Sequence, residues 1–333
     1  MLRAVARVTV FGAGAAGTAL AIHLARKGED ATLWASEHDG RALQQLEADG
    51  RHPALNERLP ATLKLHGPDA LGQAAAGVEV AVLAANSGGA RSLAGMVTPV
   101  LGSSPIAVSI AKGLEPESML RMSQVYGEAL PDSPVVALSG PSLATEIADG
   151  LLTAVAMACP DTAALDRAAE AFRSPTFLVD PTDDVIGVEV CGVAKNVAAI
   201  AAGVLEGMQQ HRQLDMKNAR AAMFTRAVHE MADLVGAMGG RPDTAFGLAG
   251  MGDLLVTSLG GRNRLYGETI GLGAEPTHTL QDMIERGLTV EGAESALDVH
   301  RLATDVGLDL PVHEVVYRVV HEGAAPESIL EAL

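Results

Sequence analysis

A glycine-rich turn near the start of the chain restricts the possible folds more than any other feature. The stretch VTVFGAGAAGTALAIHLARKG places Gly12, Gly14 and Gly17 in GxGxxG spacing, between a predicted strand and a predicted helix. In this motif the first glycine permits a tight turn, the second lets a pyrophosphate approach the backbone, and the third lets helix and strand pack closely. The N-terminus of the helix then presents N–H groups and a favourable dipole to phosphates. The motif therefore predicts a dinucleotide site, although a glycine-rich turn without a ligand has the same spacing.

The remainder of the chain falls into two patterns. Strand-like and helix-like runs alternate up to about residue 180, which predicts a mostly parallel sheet with helices on its faces. From Asp183 onward the strand pattern stops, and glycine-punctuated helices are predicted over 185–208, 215–238, 243–259 and shorter segments to the end. We therefore expect an α/β N-terminal Rossmann-like domain over residues 1–183 and an all-α C-terminal domain over residues 184–333. The predicted strands are AVARVTVFG, DATLW, EVAVLAA, PIAVSIA, PVVALSG, LTAVAMA and TFLVD.

Charge and cysteine content exclude several classes of function. The formal net charge of the 333 residues is −17, which repels nucleic acids and anionic membranes. No run of about 18 or more apolar residues lacks a charge, and the N-terminus lacks the apolar core of a signal peptide, so we expect no membrane insertion. Cys159 and Cys191 stand in no metal or redox spacing, which predicts a reducing cytoplasm and no metal site.

The residues after the second strand bear on the choice of cofactor. DATLW leads into Ala35, Ser36 and Glu37. An acidic side chain here commonly binds the adenine ribose hydroxyls, whereas an arginine accepts the 2′-phosphate of NADP. The nearest arginine is Arg41, so the local chemistry favours NAD over NADP. The alternative is that Glu37 caps the following helix.

One predicted helix has an unusual centre. The stretch GVEVCGVAKNVAAIAAGVLEG consists almost wholly of small and apolar residues, except for Lys195 and Asn196 in its middle. The small neighbours would leave room beside the lysine for a ligand. A lysine in a dry cleft with a lowered pKa is suited to proton transfer. The alternative is a lysine whose charged end extends from a core helix to solvent.

Polar side chains also follow two predicted strands of the sheet. Lys112 follows SIA, whereas Ser139, Gly140 and Ser142 lie in ALSGPS at the end of the next strand. Ligands of open α/β sheets bind at the carboxyl ends of the strands. These residues are therefore candidates for a binding site, with a helix cap as the alternative role of Ser142.

A second polar group lies in the predicted helical domain. Asp253 and Thr257 stand four residues apart on one helical face, and Arg262, Asn263 and Arg264 follow a Gly-Gly break. Arginine after glycines is suited to clamping a phosphate, because the guanidinium is a fixed fork of donors. The alternatives are a helix N-cap for Asp253 and a solvated surface charge for Arg264.

Taken together, these stretches resemble the NAD(P)-dependent glycerol-3-phosphate dehydrogenases of bacteria and archaea. The resemblance covers nearly the whole chain, because the matching motifs occur in the order of that family. They are GAGAAGTALA, AKGLE, LSGPSLATEIADG, TAVAMA, GVEVCGVAKNVAAIAAG, NARAAMFTRAVHEM, GLAGMGDLLVT, GGRNRLYGE and VEGAESA. It implies reduction of dihydroxyacetone phosphate to glycerol 3-phosphate and the reverse reaction, with NAD or NADP as the cofactor, in a cytoplasmic homodimer that serves phospholipid biosynthesis.

The resemblance also implies a role for each matching residue. Lys195 corresponds to the proton donor and acceptor, with Asp253 and Lys112 as the other catalytic residues. Cofactor contacts are implied for Gly12, Gly14, Ala15, Ala16, Gly17, Ser36, Glu37, Lys112, Arg262, Val290 and Glu291. Substrate contacts are implied for Lys112, Gly140, Ser142, Lys195, Asn196, Asp253, Thr257, Arg262 and Asn263.

The chain departs from the family at several positions. Many members carry an arginine where this chain has Ser36 and Glu37, which puts NADP preference in doubt. Other departures concern the loops around the cofactor and the substrate, and they lie at Ala15-Ala16, Ala85-Asn86-Ser87, Ala111 and Gly261.

Two rival functions remain compatible with the sequence. A dehydrogenase of the same architecture that acts on a hydroxy acid or an opine-type substrate could use the same arginine clamp for a carboxylate. A non-enzymatic protein that senses NAD(H) would need only the glycine loop, and the combination of Lys195, Asp253 and Arg262 argues against it.

Overall fold

The computed structural model describes residues 5–102 and 104–333 and divides into two compact units, Met1–Val185 and Ile186–Leu333. Ala4, the first residue of the first predicted strand, lies outside the described residues. The first unit combines a sheet with helices, whereas the described second unit consists of helices and turns. This arrangement confirms the predicted fold class.

The first unit is built on a sheet of eight strands in the order β3-β2-β1-β4-β5-β6-β7-β8. Neighbouring strands run parallel, except that β7 is antiparallel to β6. The sequence analysis missed β3, a short strand at the sheet edge. The strands are β1 (Arg7–Phe11), β2 (Asp30–Trp34), β3 (Lys64–His66), β4 (Val80–Leu83), β5 (Ile106–Ser109), β6 (Val135–Ser139), β7 (Thr153–Ala158) and β8 (Phe177–Thr182).

Alternate residues of the central strands enter two separate cores. Val8 and Val10 of β1 pack in the core on one face of the sheet, whereas Phe11 packs in the core on the other face with Trp34. Both faces of a parallel sheet must be buried, which explains why its strands read as apolar runs. The helices of this unit are α1 (Ala15–Lys27), α2 (Gly40–Asp49), α3 (Leu71–Ala75), α4 (Ala90–Val97), α5 (Met122–Ala129), α6 (Ala144–Asp149) and α7 (Thr162–Phe172).

The direction of the strand order changes at β1, which has β2 on one side and β4 on the other. In open α/β sheets, ligands bind outside the carboxyl ends of the strands at such a switch point. The glycine-rich turn follows β1 and therefore lies at this position.

The second unit begins with a long apolar helix, α8. This helix is long and apolar enough to cross a membrane, but 89% of its most apolar window is buried inside the protein. It is therefore a core helix. The helices that begin at or after the boundary are α8 (Val185–Arg212), α9 (Lys217–Ala237), α10 (Asp253–Leu259), α11 (Arg262–Gly271), α12 (Pro276–Glu285), α13 (Glu291–Val306) and α14 (Pro311–His321).

The segment predicted as one helix over 243–259 is not continuous. It contains a 3₁₀ turn at Pro242–Phe246 and a π turn at Leu248–Gly252 before α10 begins at Asp253. A Cβ atom on Gly250 would overlap the carbonyl group of Ala245. The glycine thus allows a close turn that a regular helix would not contain.

Candidate active site

The structure accounts for the three glycines of the GxGxxG turn in different ways. Gly12 has φ +114°, and a Cβ atom there would lie 2.5 Å from the carbonyl oxygen of Ala84. A Cβ atom on Gly17 would overlap the carbonyl oxygen of Gly12. Gly14 has φ −66° and would meet nothing within 4 Å, so neither its conformation nor its packing requires glycine. The open space at Gly14 is where a pyrophosphate would approach the backbone, so the turn fits a dinucleotide.

We expect Gly14→Ala to weaken NADH binding by about tenfold or more, about 1.4 kcal/mol, because the methyl group would enter the space for the pyrophosphate. The free energy of unfolding should stay close to that of the wild type. The measurements are isothermal titration calorimetry with NADH and denaturant unfolding. Gly12→Ala is the contrasting variant, because it should destabilise the fold. An unchanged NADH affinity in Gly14→Ala would place the phosphates elsewhere.

The loop after β2 contains Ser36 and the exposed side chain of Glu37. Ser36 and Asp39 form the capping box of a 3₁₀ turn at Glu37–Asp39. The following helix, α2, has no side-chain cap, so Glu37 does not cap it. Ser36 is buried and donates hydrogen bonds from its backbone N and its Oγ to Oδ2 of Asp39, at 2.8 and 2.7 Å. Ala15 and Ala16 begin α1 directly after Gly14.

Lys112, Gly140 and Ser142 form one cluster at the carboxyl ends of β5 and β6. The Nζ of Lys112 donates to the carbonyl oxygen of Gly140 at 3.0 Å and to Oγ of Ser142 at 3.4 Å. Ser142 Oγ in turn donates to the Gly140 carbonyl at 2.8 Å, and α6 begins two residues later without a side-chain cap. The nearby Oγ of Ser139 is buried and has no hydrogen-bond partner within the part of the chain that the structure describes. The structure therefore brings together the candidates that sequence placed after two different strands.

Lys195 is buried in α8, with 5% of its surface exposed. Its Nζ donates to Oγ1 of Thr257 at 3.0 Å and lies 3.5 Å from Oδ1 of Asp253. The hydroxyl of Thr257 donates to the Asp253 carbonyl at 2.7 Å, so it accepts from the lysine. The charged end of Lys195 is thus fixed inside the unit and does not extend to solvent.

Asp253 is the first residue of α10 and is 2% exposed. Its carboxylate points to Lys195 and Thr257, so the alternative role as a helix N-cap is wrong. The π turn immediately before it is a local irregularity of the kind that is frequent at functional sites. The resulting arrangement places a carboxylate and an ammonium together in a dry environment.

Asn196 connects α8 to the N-termini of two further helices. Its Oδ1 accepts from Nδ2 of Asn263 at 2.9 Å, and Oδ1 of Asn263 accepts from the backbone N of Gly292 at 3.0 Å. A Cβ atom on Gly292 would lie 2.7 Å from the Asn196 carbonyl oxygen. Asn196 and Asn263 therefore hold the beginnings of α11 and α13 next to the turn of α8 that carries the lysine.

Arg262 is the first residue of α11 and has an exposed side chain. It follows Gly261, whose φ of +104° favours glycine, and its Nη1 donates to Oγ1 of Thr289. Val290 and Glu291 come directly after Thr289, at the start of α13. These residues surround a helix N-terminus, where N–H groups and the helix dipole favour an anion.

Two pairs of glycines set the distance between α8 and α11. A Cβ atom on Gly203 would overlap the Arg264 carbonyl oxygen, and one on Gly207 would overlap that of Glu268. The reciprocal glycines, Gly267 and Gly271, meet the backbone of α8 in the same way. The room beside Gly203 and Gly207 is thus filled by the backbone of α11 and does not serve the substrate.

Arg264 was the other residue of the RNR stretch considered for a phosphate. Its Nη1 lies 2.7 Å from Oε2 of Glu206 and 3.0 Å from Oε2 of Glu268, and its side chain is 18% exposed. The alternative of a solvated surface charge is therefore wrong, because Arg264 pairs across the α8–α11 contact.

The sequence analysis did not predict a buried His–Glu pair that contacts the backbone next to Lys195. Nδ1 of His313 lies 2.7 Å from Oε2 of Glu230, and Nε2 lies 3.2 Å from the carbonyl oxygen of Ala194, the residue before Lys195. Glu230 also accepts from the backbone N of Val312 and of His313 at the start of α14. Nothing in the local sequence signals this contact, because its members lie on three helices far apart in the chain.

The described residues contain no group of three or more His, Cys, Asp or Glu side chains that could hold a metal ion. Positive charge in the helical unit is available from side chains such as Lys195 and Arg262 and from helix N-termini.

Comparisons with known proteins indicate the same family for both parts of the chain. Residues 7–165 match the family model described as NAD-dependent glycerol-3-phosphate dehydrogenase N-terminus, and residues 184–331 match the corresponding C-terminus. An NADP(+)-dependent glycerol-3-phosphate dehydrogenase of Archaeoglobus fulgidus is 32% identical, with 97% of each chain covered. A glycerol-3-phosphate dehydrogenase [NAD(P)+] of Geobacter metallireducens is 39% identical, with 98% of this chain and 96% of the relative covered.

Solved structures give the same result. The glycerol-3-phosphate dehydrogenase of Coxiella burnetii superposes with a TM-score of 0.86 at 33% identity, covering 97% of each chain. A ketopantoate reductase of Ralstonia eutropha has a TM-score of 0.60 at 20% identity, covering 97% of this chain and 99% of that one, which shows a shared fold alone.

Proposed function

The chain belongs to the NAD-dependent glycerol-3-phosphate dehydrogenase family, and we propose on this premise that it interconverts dihydroxyacetone phosphate and sn-glycerol 3-phosphate. The enzyme is an NAD(P)-dependent oxidoreductase that acts on a CH–OH group. The observation that carries the proposal is the buried ammonium of Lys195, held by Thr257 and Asp253. A ketone reduction needs such a cation where the carbonyl oxygen becomes an alkoxide.

When bound, the reduced cofactor would supply a hydride to the carbonyl carbon. Lys195 would donate the proton in this direction and accept it in the reverse direction. Its ammonium stabilises the developing negative charge on the carbonyl oxygen and donates a proton to it. In the reverse direction, neutral Lys195 accepts the proton of the secondary hydroxyl. Thr257 and Asp253 fix the position of Nζ and compensate its burial.

The phosphate of the substrate is assigned to the N-terminus of α11. Arg262 provides a guanidinium, and the first N–H groups of the helix add donors. Asn196 and Asn263 support this end of the helix through their mutual hydrogen bond. Local cations of this kind, with Lys112, oppose the repulsion of the substrate dianion by the −17 net charge.

The cofactor, NAD or NADP, is assigned to the glycine turn of residues 1–183, and the phosphate of the substrate to residues 184–333. The pyrophosphate would lie on Gly14, which has open space above it. Lys112, Gly140 and Ser142 are proposed to contact the substrate, and Lys112 the nicotinamide as well, since they meet at the carboxyl ends of β5 and β6. Further cofactor contacts are proposed for Ala15, Ala16, Ser36, Arg262, Val290 and Glu291, but not for the exposed Glu37, whose side chain makes no hydrogen bond or ion pair with the described residues.

We also propose that the protein is a homodimer in the cytoplasm. Leu255 and Leu259 lie one turn apart on α10 and are 51% and 71% exposed, which supports an association surface. The low cysteine content, Cys159 and Cys191 in 333 residues, suits a reducing compartment. Light scattering coupled to size-exclusion chromatography measures the oligomeric state.

The deciding experiment is oxidation of NADH and of NADPH with dihydroxyacetone phosphate, compared with 2-keto acids. We expect turnover with the phosphorylated ketone and little with the keto acids, because Arg262 and the α11 N-terminus suit a phosphate. Faster turnover of a keto acid would favour the hydroxy-acid dehydrogenase instead. Absence of turnover with every carbonyl compound would favour a protein that only binds NAD(H).

A further inference from the structure

The carboxylate of Asp39 is held in a fixed position at the carboxyl end of β2. Its Oδ2 accepts hydrogen bonds from the backbone N and from Oγ of the buried Ser36, at 2.8 and 2.7 Å. These two hydrogen bonds lie within the capping box of the 3₁₀ turn Glu37–Asp39 and define the position of the carboxylate. The other oxygen, Oδ1, has no hydrogen bond to the described residues and can accept one from a ligand.

The loop that carries Asp39 leaves the sheet beside the glycine turn. β1 and β2 are parallel neighbours, and the backbone N of Gly12 donates to the carbonyl oxygen of Trp34, the last residue of β2, at 2.9 Å. Dinucleotide-binding sheets hold the adenine ribose in this space, between the glycine turn and the end of the second strand.

Glu37, the acidic residue that sequence spacing suggests, is placed differently. Its side chain is exposed and makes no hydrogen bond or ion pair with any described residue. Arg41 is also exposed, and among the described contacts it has none with Asp39. A charge that moves freely in solvent is screened and contributes little to discrimination.

We propose that Asp39, which is held by hydrogen bonds from Ser36, is the residue that selects NAD(H) against NADP(H). The ribose hydroxyls of NAD donate to the carboxylate, whereas the 2′-phosphate of NADP carries about −1.5 to −2 charge and is repelled by it. The hydroxyl of Ser36 already donates its hydrogen to Asp39. The inference rests on the proposed dinucleotide site at the glycine turn.

The test is Asp39→Asn with Glu37→Gln as the matched control. The asparagine oxygen can still accept from Ser36, so the turn is retained while the charge is lost. We measure the dissociation constants of NADH and NADPH by calorimetry without substrate. The wild type should bind NADH more tightly, and Asp39→Asn should shift the ratio towards NADPH by about tenfold, the equivalent of about 1.4 kcal/mol. Glu37→Gln should shift it by less than about twofold, as expected of an exposed charge.

The inference is overturned if Glu37→Gln shifts the ratio as much as Asp39→Asn, if neither does, or if the wild type prefers NADPH. Because binding is measured without a ketone, this result is independent of the proposed reaction. A chain that binds NADH selectively but does not reduce dihydroxyacetone phosphate would contradict the proposed function and leave the role of Asp39 intact. Normal turnover with an unchanged ratio in Asp39→Asn would contradict the inference alone.

Discussion

Replacement of Lys195 by methionine is expected to lower kcat by about 10²–10⁴, with little change in NADH affinity. Methionine has a similar length, but it cannot donate a proton or stabilise an alkoxide. NADH binding should persist because the glycine turn lies in the other unit of the chain. Steady-state kinetics with dihydroxyacetone phosphate and calorimetry with NADH measure the two effects. A variant that retains more than about a tenth of the wild-type kcat, a loss of less than about 1.4 kcal/mol, would show that Lys195 is not the acid.

The control concerns the buried partner that the substitution leaves behind. Asp253 is 2% exposed and lies 3.5 Å from the lysine, so its carboxylate loses a compensating charge in Lys195→Met. Breaking a buried ion pair on one side typically costs about 3–5 kcal/mol of stability. The double variant Lys195→Met with Asp253→Asn removes both charges and should recover stability but not activity. Recovery of turnover in the double variant would mean that misfolding, and not the missing ammonium, caused the loss.

The parts of the fold that follow from local pattern were predictable. Apolar runs such as DATLW and LTAVAMA coincide with β2 and β7, because strands covered on both faces are apolar throughout. The three-residue β3 has only exposed and half-buried side chains, so it carries no such signal. The change from alternating elements to helices likewise identified the all-helical second unit.

The polar residues of the site were also visible in sequence, because each stands out against its surroundings. Lys195 interrupts an apolar helix, and the spacing of Asp253 and Thr257 places both on one face. Contacts that depend on distant parts of the chain gave no comparable signal. Asp39 becomes important only through Ser36, and His313 only through its contact with Ala194.

The glycines of α8 are a further case in which the sequence does not show a contact between distant parts of the chain. In the sequence, Gly203 and Gly207 are two further small residues of an apolar helix, and their four-residue spacing matches that of Gly267 and Gly271. Spacing of this kind permits close approach of two helices, but it does not identify the partner. Only the structure shows that α8 and α11 touch backbone to backbone at these positions.

Gly203→Ala should therefore be among the most damaging single substitutions in the chain. The added Cβ would overlap the carbonyl oxygen of Arg264, and a backbone atom in a packed helix cannot move aside cheaply. Overpacking a core typically costs about 1–3 kcal/mol and occasionally more, and we expect a loss of about 3 kcal/mol here. Displacement of α11 would also move Arg262 and Asn263, so the KM for dihydroxyacetone phosphate should rise in any protein that remains folded.

Gly127→Ala separates this steric effect from the general effect of replacing a helical glycine. Gly127 lies within α5, and a Cβ atom there would meet nothing within 4 Å. Alanine at such a site is expected to stabilise by about 0.5–1 kcal/mol, because glycine loses more backbone entropy on folding. Chemical denaturation gives the free energy of unfolding of both variants, and kinetics gives the KM. If Gly203→Ala matched Gly127→Ala in both quantities, α11 would have to lie further from α8 than these glycines imply, and the arginine and asparagine at its start would lose their defined position beside Lys195.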